Sequence, residues 1–217
     1  AAADERLTLV PHRRGDDGYF MLLVDAPVPS VDEVASSGPL ELLILADTSG
    51  SMWGPQRANQ VAFIEALLAA LEPGDRFDLA TCDVETRWAF GGLVPGGDRE
   101  RREAALAFLD AREPLGWSDL ERAFASAIER AGQATHVVYV GDGVPTSGAA
   151  DPALLARAIE GLYRGQGTFH AVVPGSSSEP AVLRAIAALG GGSLRQIGAG
   201  ADALQTAHAL LDELARP

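Results

Sequence analysis

From residue 40 onward, short apolar runs alternate with longer segments whose apolar residues recur at helical spacing. The first run, at 40–46, is almost continuously apolar, which is typical of a parallel strand buried on both faces. A helix is predicted at about 56–72, and Pro73-Gly74-Asp75 ends it. This alternation predicts an α/β fold, with a doubly wound, mainly parallel central sheet flanked by helices on both faces.

The rest of the chain continues the same pattern. We expect the strand at 40–46 to lie in the centre of the sheet, beside strands at 77–82 and 136–140. A short antiparallel edge strand is predicted near 86–90. Further strands are predicted at 169–173 and 193–197, and further helices at 98–109, 118–131, 152–163, 179–189 and 201–215.

The first part of the chain differs in character. Apolar runs at 7–10 and 19–24 flank the turn-forming residues Gly15-Asp16-Asp17-Gly18, a pattern that predicts a β-hairpin. The Pro- and Ser-rich stretch at 26–39 is typical of a linker. We therefore predict an N-terminal hairpin and linker at 1–37 and one α/β domain at 38–217.

Charge and residue usage exclude several classes of function. The formal net charge is −13, and such a surface repels phosphate backbones and anionic lipid, so neither nucleic acid nor membrane insertion is expected. All 17 basic residues are arginine, which rules out chemistry that depends on a lysine amine. The single cysteine, Cys82, excludes an internal disulfide and a cysteine-ligated zinc site. Asp83 and Glu85, which follow the strand at 77–82, are interpreted as surface carboxylates.

Two carboxylates follow two of the predicted core strands. Asp47 begins the segment Asp47-Thr48-Ser49-Gly50-Ser51 after the first strand, and Asp142 lies in Gly141-Asp142-Gly143 after the strand at 136–140. The carboxyl ends of parallel strands share one edge of a sheet, so we expect the two side chains to lie close together. Two such carboxylates repel each other unless a cation lies between them. Carboxylate and hydroxyl oxygens favour Mg²⁺, Mn²⁺ or Ca²⁺.

The segment at 47–51 resembles the DxSxS signature of the von Willebrand factor type A domain, which begins the metal-ion-dependent adhesion site of that family. A second loop of the family supplies a Thr, and the segment at 115–120 resembles it with a Ser in that place; the segment at 140–146 resembles the third loop, which supplies an Asp. The resemblance covers about residues 38–217. It implies the metal ligands Asp47, Ser49, Ser51, Ser118 and Asp142, supported by Asp119, Gly50 and Gly143.

The hairpin and the Pro-rich stretch resemble a second feature of known proteins. In proteins of the inter-alpha-trypsin inhibitor heavy-chain type, a similar segment leads from a vault-type β domain into the A domain. The resemblance therefore implies an A domain of the kind found in those proteins.

Some of these residues have a second interpretation that the sequence leaves open. Asp47 is also placed to cap the helix that follows it. Ser118, three residues before Glu121, has the spacing of a capping box, so it either contacts the metal or only starts a helix. Trp53 and Trp117 lie on two of the ligand loops, where they either wall the site or only pack.

The function predicted from these residues is binding rather than catalysis. We expect a divalent-cation-dependent module that engages an Asp or Glu carboxylate of a protein partner, within a basic surface that complements the acidic chain. The alternative is a scaffold that uses the domain as a metal-independent interaction surface. A phosphatase-like hydrolase is disfavoured because position 49 is Ser and the chain has no lysine; a serine hydrolase is disfavoured because Ser51 lacks a Gly-x-Ser-x-Gly context.

Overall fold

The computed structural model describes residues 7–15, 17–24, 38–114, 116–148, 151–198 and 202–215. The chain falls into two compact units, which divide between Ser36 and Ser37. The first unit contains an antiparallel hairpin of β1 (Leu7–Arg14) and β2 (Asp17–Val24), so the predicted N-terminal hairpin is confirmed. Positions 26–37 of the predicted linker lie outside the described residues.

The described residues of the second unit form a seven-stranded sheet with the order β5-β4-β3-β7-β8-β9, in which β6 also pairs with β4. Strands β4, β3, β7, β8 and β9 are parallel, whereas β5 and β6 run antiparallel to β4. The predicted central strand, its two neighbours and the antiparallel edge strand are therefore confirmed. The strands are β3 (Glu41–Asp47), β4 (Arg76–Cys82), β5 (Thr86–Trp88), β6 (Val94–Pro95), β7 (Thr135–Val140), β8 (Thr168–Val173) and β9 (Leu194–Gln196).

Six α-helices lie between or after these strands within the described part of the second unit. Five of them begin at an acidic residue whose side chain accepts hydrogen bonds from the first backbone N–H groups, which satisfies donors that the helix itself cannot. The helices are α1 (Pro55–Ala69), α2 (Arg99–Asp110), α3 (Leu120–Arg130), α4 (Pro152–Leu162), α5 (Pro180–Ala188) and α6 (Ala203–Leu214). No described helix is long and apolar enough to cross a membrane.

Strand β3 shows why the sheet has a core on each face. Successive side chains of a strand point to opposite faces. Leu42 and Ile44 join the core that contains residues of α1, α2 and α6, whereas Leu43 and Leu45 join the core that contains residues of α3, α4 and α5. All four are essentially inaccessible to solvent. The continuous apolar run is thus explained by burial on both sides, and the prediction of helices on both faces is confirmed.

The strand order places a topological switch point at the carboxyl end of the sheet. The chain passes from β3 to β4 on one side, and β7 lies on the other side of β3. The order therefore reverses between β3 and β7, and loops leaving such a switch point diverge and leave room for a ligand. Asp47 is the last residue of β3 and Asp142 lies two residues beyond β7.

Candidate functional site

Asp47 is fixed at the end of β3 by two hydrogen bonds. Its side chain is fully buried; Oδ1 accepts from the backbone N–H of Ser49 at 2.9 Å, and Oδ2 accepts from the hydroxyl of Tyr139 at 2.7 Å. The interpretation of Asp47 as a cap of the following helix is wrong, because α1 begins after Gly54 and has no side-chain cap. The carboxylate instead faces β7 and the loop beyond it.

Asp142 lies on that loop and is also buried, with Oδ1 accepting from the N–H of Val144 at 2.9 Å. The Tyr139 hydroxyl joins the two acidic positions, because it donates to Asp47 and accepts from the N–H of Gly143 at 3.1 Å. Sequence reasoning missed Tyr139, which looked like one more apolar residue of a core strand. Its hydroxyl fixes the Asp47 side chain relative to the Asp142 loop.

Two glycines make this arrangement sterically possible. A Cβ at Gly141 would lie 2.4 Å from the Tyr139 hydroxyl oxygen and 2.6 Å from Cβ of Asp47, so residue 141 leaves the space that the tyrosine fills. Gly143 has a φ of +71°, a conformation that residues with side chains rarely adopt. Glycine at 143 therefore allows the turn that carries Asp142, and its support of a metal site stays a prediction.

Burial and charge make the site unfavourable for two free carboxylates. Burial and, to a lesser extent, the nearby charge of Asp142 together raise the pKa of Asp47 from 3.8 to about 6, against the opposing effect of hydrogen bonds from Ser49 and Tyr139. Burial and the charges of Asp47 and Asp142 raise the pKa of Tyr139 well above its ordinary value, so the phenol stays protonated and donates a hydrogen bond to Asp47. The negative charge held here favours a bound cation.

The hydroxyls of Ser49 and Ser51 lie on the loop that leaves β3. Their Oγ atoms are 3.1 Å apart, with Ser49 buried and Ser51 exposed. Between them, Gly50 donates its N–H to the carbonyl of Gly116 at 2.9 Å, and this bond holds the β3 loop against the loop that precedes α3. Gly50 does not adopt a positive φ, so its part in the structure is this hydrogen bond rather than an unusual conformation.

Ser118 lies on the loop that precedes α3 and is fully buried. Its backbone N–H donates to Oγ1 of Thr146 at 2.7 Å and its carbonyl accepts from the N–H of Ser147 at 3.0 Å, which ties it to the loop of Asp142. Its hydroxyl has no hydrogen-bond partner among the described residues. The capping interpretation is wrong, because the N-cap of α3 is Asp119, whose side chain accepts from Arg122 N–H at 3.1 Å.

An unpartnered buried hydroxyl is costly, and such groups are rare in native proteins. The three loops that carry the predicted ligands are hydrogen-bonded to one another, and they offer two carboxylates and three hydroxyls. No group of three His, Cys, Asp or Glu side chains suited to a metal ion occurs in the described residues. A metal bound at this edge must therefore rely on serine hydroxyls as well as carboxylates, and the oxygen-only donor set fits Mg²⁺, Mn²⁺ or Ca²⁺.

Asp83 is buried against the loop that follows β3, so its interpretation as a surface carboxylate is wrong. It is only 2% exposed; Oδ2 accepts from the hydroxyl of Thr48 at 3.1 Å and pairs with Nη2 of Arg112 at 2.6 Å. Its backbone carbonyl accepts from the N–H of Asp119 at 2.9 Å. The adjacent thiol of Cys82 is buried, which raises its pKa and keeps it protonated.

Gln60 is a second buried polar residue that sequence reasoning missed. From α1, its Nε2 donates to the backbone carbonyls of Asp47 at 2.8 Å and Val140 at 2.7 Å, the last residues of the two strands that flank the switch point. Its Oε1 accepts from Nη1 of Arg57 at 2.8 Å. Gln60 thereby fixes the spacing of β3 and β7 where the two acidic loops begin.

Known proteins resemble this chain in sequence and in fold. A family model for the von Willebrand factor type A domain matches residues 40–196. Inter-alpha-trypsin inhibitor heavy chain H4 from Bos taurus is 25% identical over 213 residues, which are 93% of this chain and 22% of that protein. The counterpart from Sus scrofa is 25% identical over 210 residues, with the same two shares. A von Willebrand factor type A structure from Catenulispora acidiphila has a TM-score of 0.65 and 25% identity, covering 82% of this chain and 42% of that one.

Proposed function

Because this chain belongs to the von Willebrand factor type A domain family, we propose that it binds a protein partner through a divalent cation at the carboxyl edge of its sheet. Domains of this family are common protein-interaction modules. The observation that carries the metal-dependent part of the proposal is the Ser118 hydroxyl, which is buried without a partner on the edge that also holds two buried carboxylates.

The side chains of this chain have distinct parts in the proposed site. Asp47 and Asp142 provide negative charge, and Ser49, Ser51 and Ser118 provide neutral oxygens. The Tyr139 hydroxyl fixes the Asp47 carboxylate. A bound Mg²⁺, or Mn²⁺ or Ca²⁺ in its place, would supply a positive centre that attracts an oxygen ligand from outside the chain.

The partner is proposed to offer an Asp or Glu carboxylate. Mg²⁺ takes six oxygen ligands, and the five side chains of this site leave at least one position for water or for a partner's oxygen. Two carboxylates neutralise a divalent charge, so an incoming acidic group is not repelled by the site itself. The rest of the chain is strongly acidic at −13, so the partner surface around its carboxylate should be basic.

A metal titration tests the proposal. Chelator-stripped protein is melted with increasing Mg²⁺, Mn²⁺ or Ca²⁺; a ligand at 100 times its Kd adds ~2.7 kcal/mol, which raises Tm by roughly 5–11 °C for a chain of this size. Asp47→Asn should abolish the rise. Asp98→Asn is the matched control, because it removes the same charge from an exposed helix cap where Asn serves equally well.

The result that would contradict the metal site is equally direct. If wild type shows no change in Tm with any of the three cations, or if Asp47→Asn gains as much as wild type, the carboxylates do not bind a cation. The metal-independent interaction surface would then be the better account of the domain.

A further inference from the structure

Two tryptophans lie next to the proposed ligands and face solvent. Trp53 is two residues beyond Ser51 and is 72% exposed; Trp117 directly precedes Ser118 and is 65% exposed. Their interpretation as packing residues is wrong, because side chains with these exposures contribute little to a core. Both side chains are exposed at the edge of the sheet that carries the proposed metal ligands, where a partner would approach.

The third tryptophan, Trp88, has a structural role that Trp53 and Trp117 lack. Trp88 is half-buried, its Nε1–H donates to Oγ of Ser126 at 2.9 Å, and the guanidinium of Arg130 lies 4.3 Å from its ring centroid. Neither Trp53 nor Trp117 has a side-chain hydrogen bond or ring contact with the described residues. A large aromatic side chain that is left in water without such contacts indicates an interaction surface.

A third apolar residue belongs to the same surface. The Gly50 N–H bond to Gly116 joins the loop of Trp53 to the loop of Trp117. The bond from Asp119 N–H to the Asp83 carbonyl brings the next loop alongside, and that loop presents Val84 with 44% exposure. We call Trp53, Val84 and Trp117 the apolar rim.

We propose that the apolar rim selects a protein segment whose metal-binding carboxylate is flanked by large apolar side chains. The inference rests on the proposed function, since it concerns the partner of that same site. A carboxylate alone does not distinguish one acidic segment from another, whereas burial of two indoles supplies both affinity and selectivity. The three rim side chains are uncharged, and the guanidinium that lies beside them, of Arg122, donates to the carbonyl of Val84 at 3.3 Å, so basic partner groups that complement the charge of −13 belong outside the rim.

The chemistry of the apolar rim favours an apolar partner side chain over a basic one beside the carboxylate. An arginine beside the carboxylate stacks on an indole, but it gains nothing from Val84 and loses hydration. A leucine or phenylalanine there is complementary to both the indoles and Val84, and its contact with them removes apolar surface on both sides from water. An apolar contact zone around one charged group, with polar groups at the periphery, is the ordinary anatomy of a protein interface.

The test uses immobilised synthetic peptides with one central Asp, flanked by Leu and Phe, by Ser, or by Arg, and a matched set with central Asn. Binding is measured in Mg²⁺ and in chelator for wild type, for Trp53→Ser/Trp117→Ser and for Leu194→Ser. Leu194 is the control, because it is 40% exposed and lies at the opposite, amino-terminal end of β9. Circular dichroism and Tm establish that each variant is folded.

The expected result is chelator-sensitive binding of the Asp peptides flanked by Leu and Phe, weakened roughly 30-fold in the double tryptophan variant and unchanged in the control. Chelator-sensitive binding that ignores the flanking residues, or that prefers Arg, or that survives loss of both tryptophans, would overturn the apolar rim and leave the proposed function standing. Absence of chelator-sensitive binding to every Asp peptide would overturn both.

Discussion

Replacing Asp47 by Asn should stabilise the protein when no divalent cation is present. Burial and the charge of Asp142 raise the pKa of Asp47 from 3.8 to about 6. Above that pH the folded protein therefore carries an ionised group at a cost of roughly 3 kcal/mol, which is the free energy that separates those two pKa values. An amide has no charge and avoids this cost.

Part of the gain is lost again through hydrogen bonding. The Asn side chain has one acceptor oxygen, so it can serve the N–H of Ser49 or the hydroxyl of Tyr139 but not both, which costs ~1 kcal/mol. The net stabilisation of Asp47→Asn at neutral pH should thus be about 1–2 kcal/mol.

The pH dependence of stability provides a second test of whether Asp47→Asn stabilises the protein. For a carboxyl whose folded pKa is raised, the destabilisation is complete above about 6 and disappears as the pH falls towards 3.8. The advantage of Asp47→Asn should therefore shrink below pH 6 and reverse near pH 4, where wild type keeps both hydrogen bonds at no electrostatic cost.

Urea denaturation followed by circular dichroism, in chelator at neutral pH and near pH 4, measures these differences. In saturating Mg²⁺ at neutral pH, wild type should instead be the more stable of the two proteins, since only wild type gains stability from the bound cation. The reasoning is refuted if Asp47→Asn is the less stable protein in chelator at neutral pH, or if the difference between the two proteins does not change with pH.

Three further substitutions follow from the described contacts. Ser118→Ala should leave stability in chelator unchanged or slightly raised, because it removes an unpartnered buried hydroxyl, yet it should weaken Mg²⁺ binding in the same melting assay. Gln60→Leu should cost ~2–4 kcal/mol in urea denaturation, because two buried carbonyls and Nη1 of Arg57 lose the hydrogen bonds that Gln60 provides, and a loss below ~1 kcal/mol would contradict this. Burial, with a contribution from His136, lowers the pKa of His170 from 6.5 to about 4, so the stabilisation that it gives is complete above 6.5 and is lost as the pH falls through 4. His170→Gln should remove up to ~3 kcal/mol of that acid sensitivity, and an unchanged difference from wild type between pH 7 and pH 4 would contradict the assignment.

The sequence was sufficient for the parts of the fold that follow from local periodicity. Strands buried on both faces have continuous apolar runs, and helices between them have their own spacing, so the parallel sheet could be predicted. The positions of Asp47 and Asp142 at one edge then follow, because parallel strands end on the same side. The two-residue strand β6 is too short to produce any such pattern.

The residues that were missed act over long sequence separations. Tyr139 contacts Asp47 across 92 positions, and Gln60 contacts Val140 across 80. Asp83 pairs with Arg112 across 29 positions, which no local pattern of charge reveals. In each case a polar group lies within an apolar or amphipathic segment, and its partner is specified only by the three-dimensional packing.

The close fit of Tyr139 against Gly141 makes these two positions interdependent in evolution. A side chain introduced at 141 would collide not only with the hydroxyl oxygen but also with Cζ of the ring, 2.5 Å away, so even phenylalanine at 139 leaves no room. A side chain at 141 therefore requires a shorter residue at 139, which gives up the bond to Asp47, and it also requires β3 to move, because Cβ of Asp47 would lie 2.6 Å away. The glycine at 141 is thus tied to both the tyrosine at 139 and the backbone position of Asp47, and replacing it disturbs the geometry of the acidic site itself.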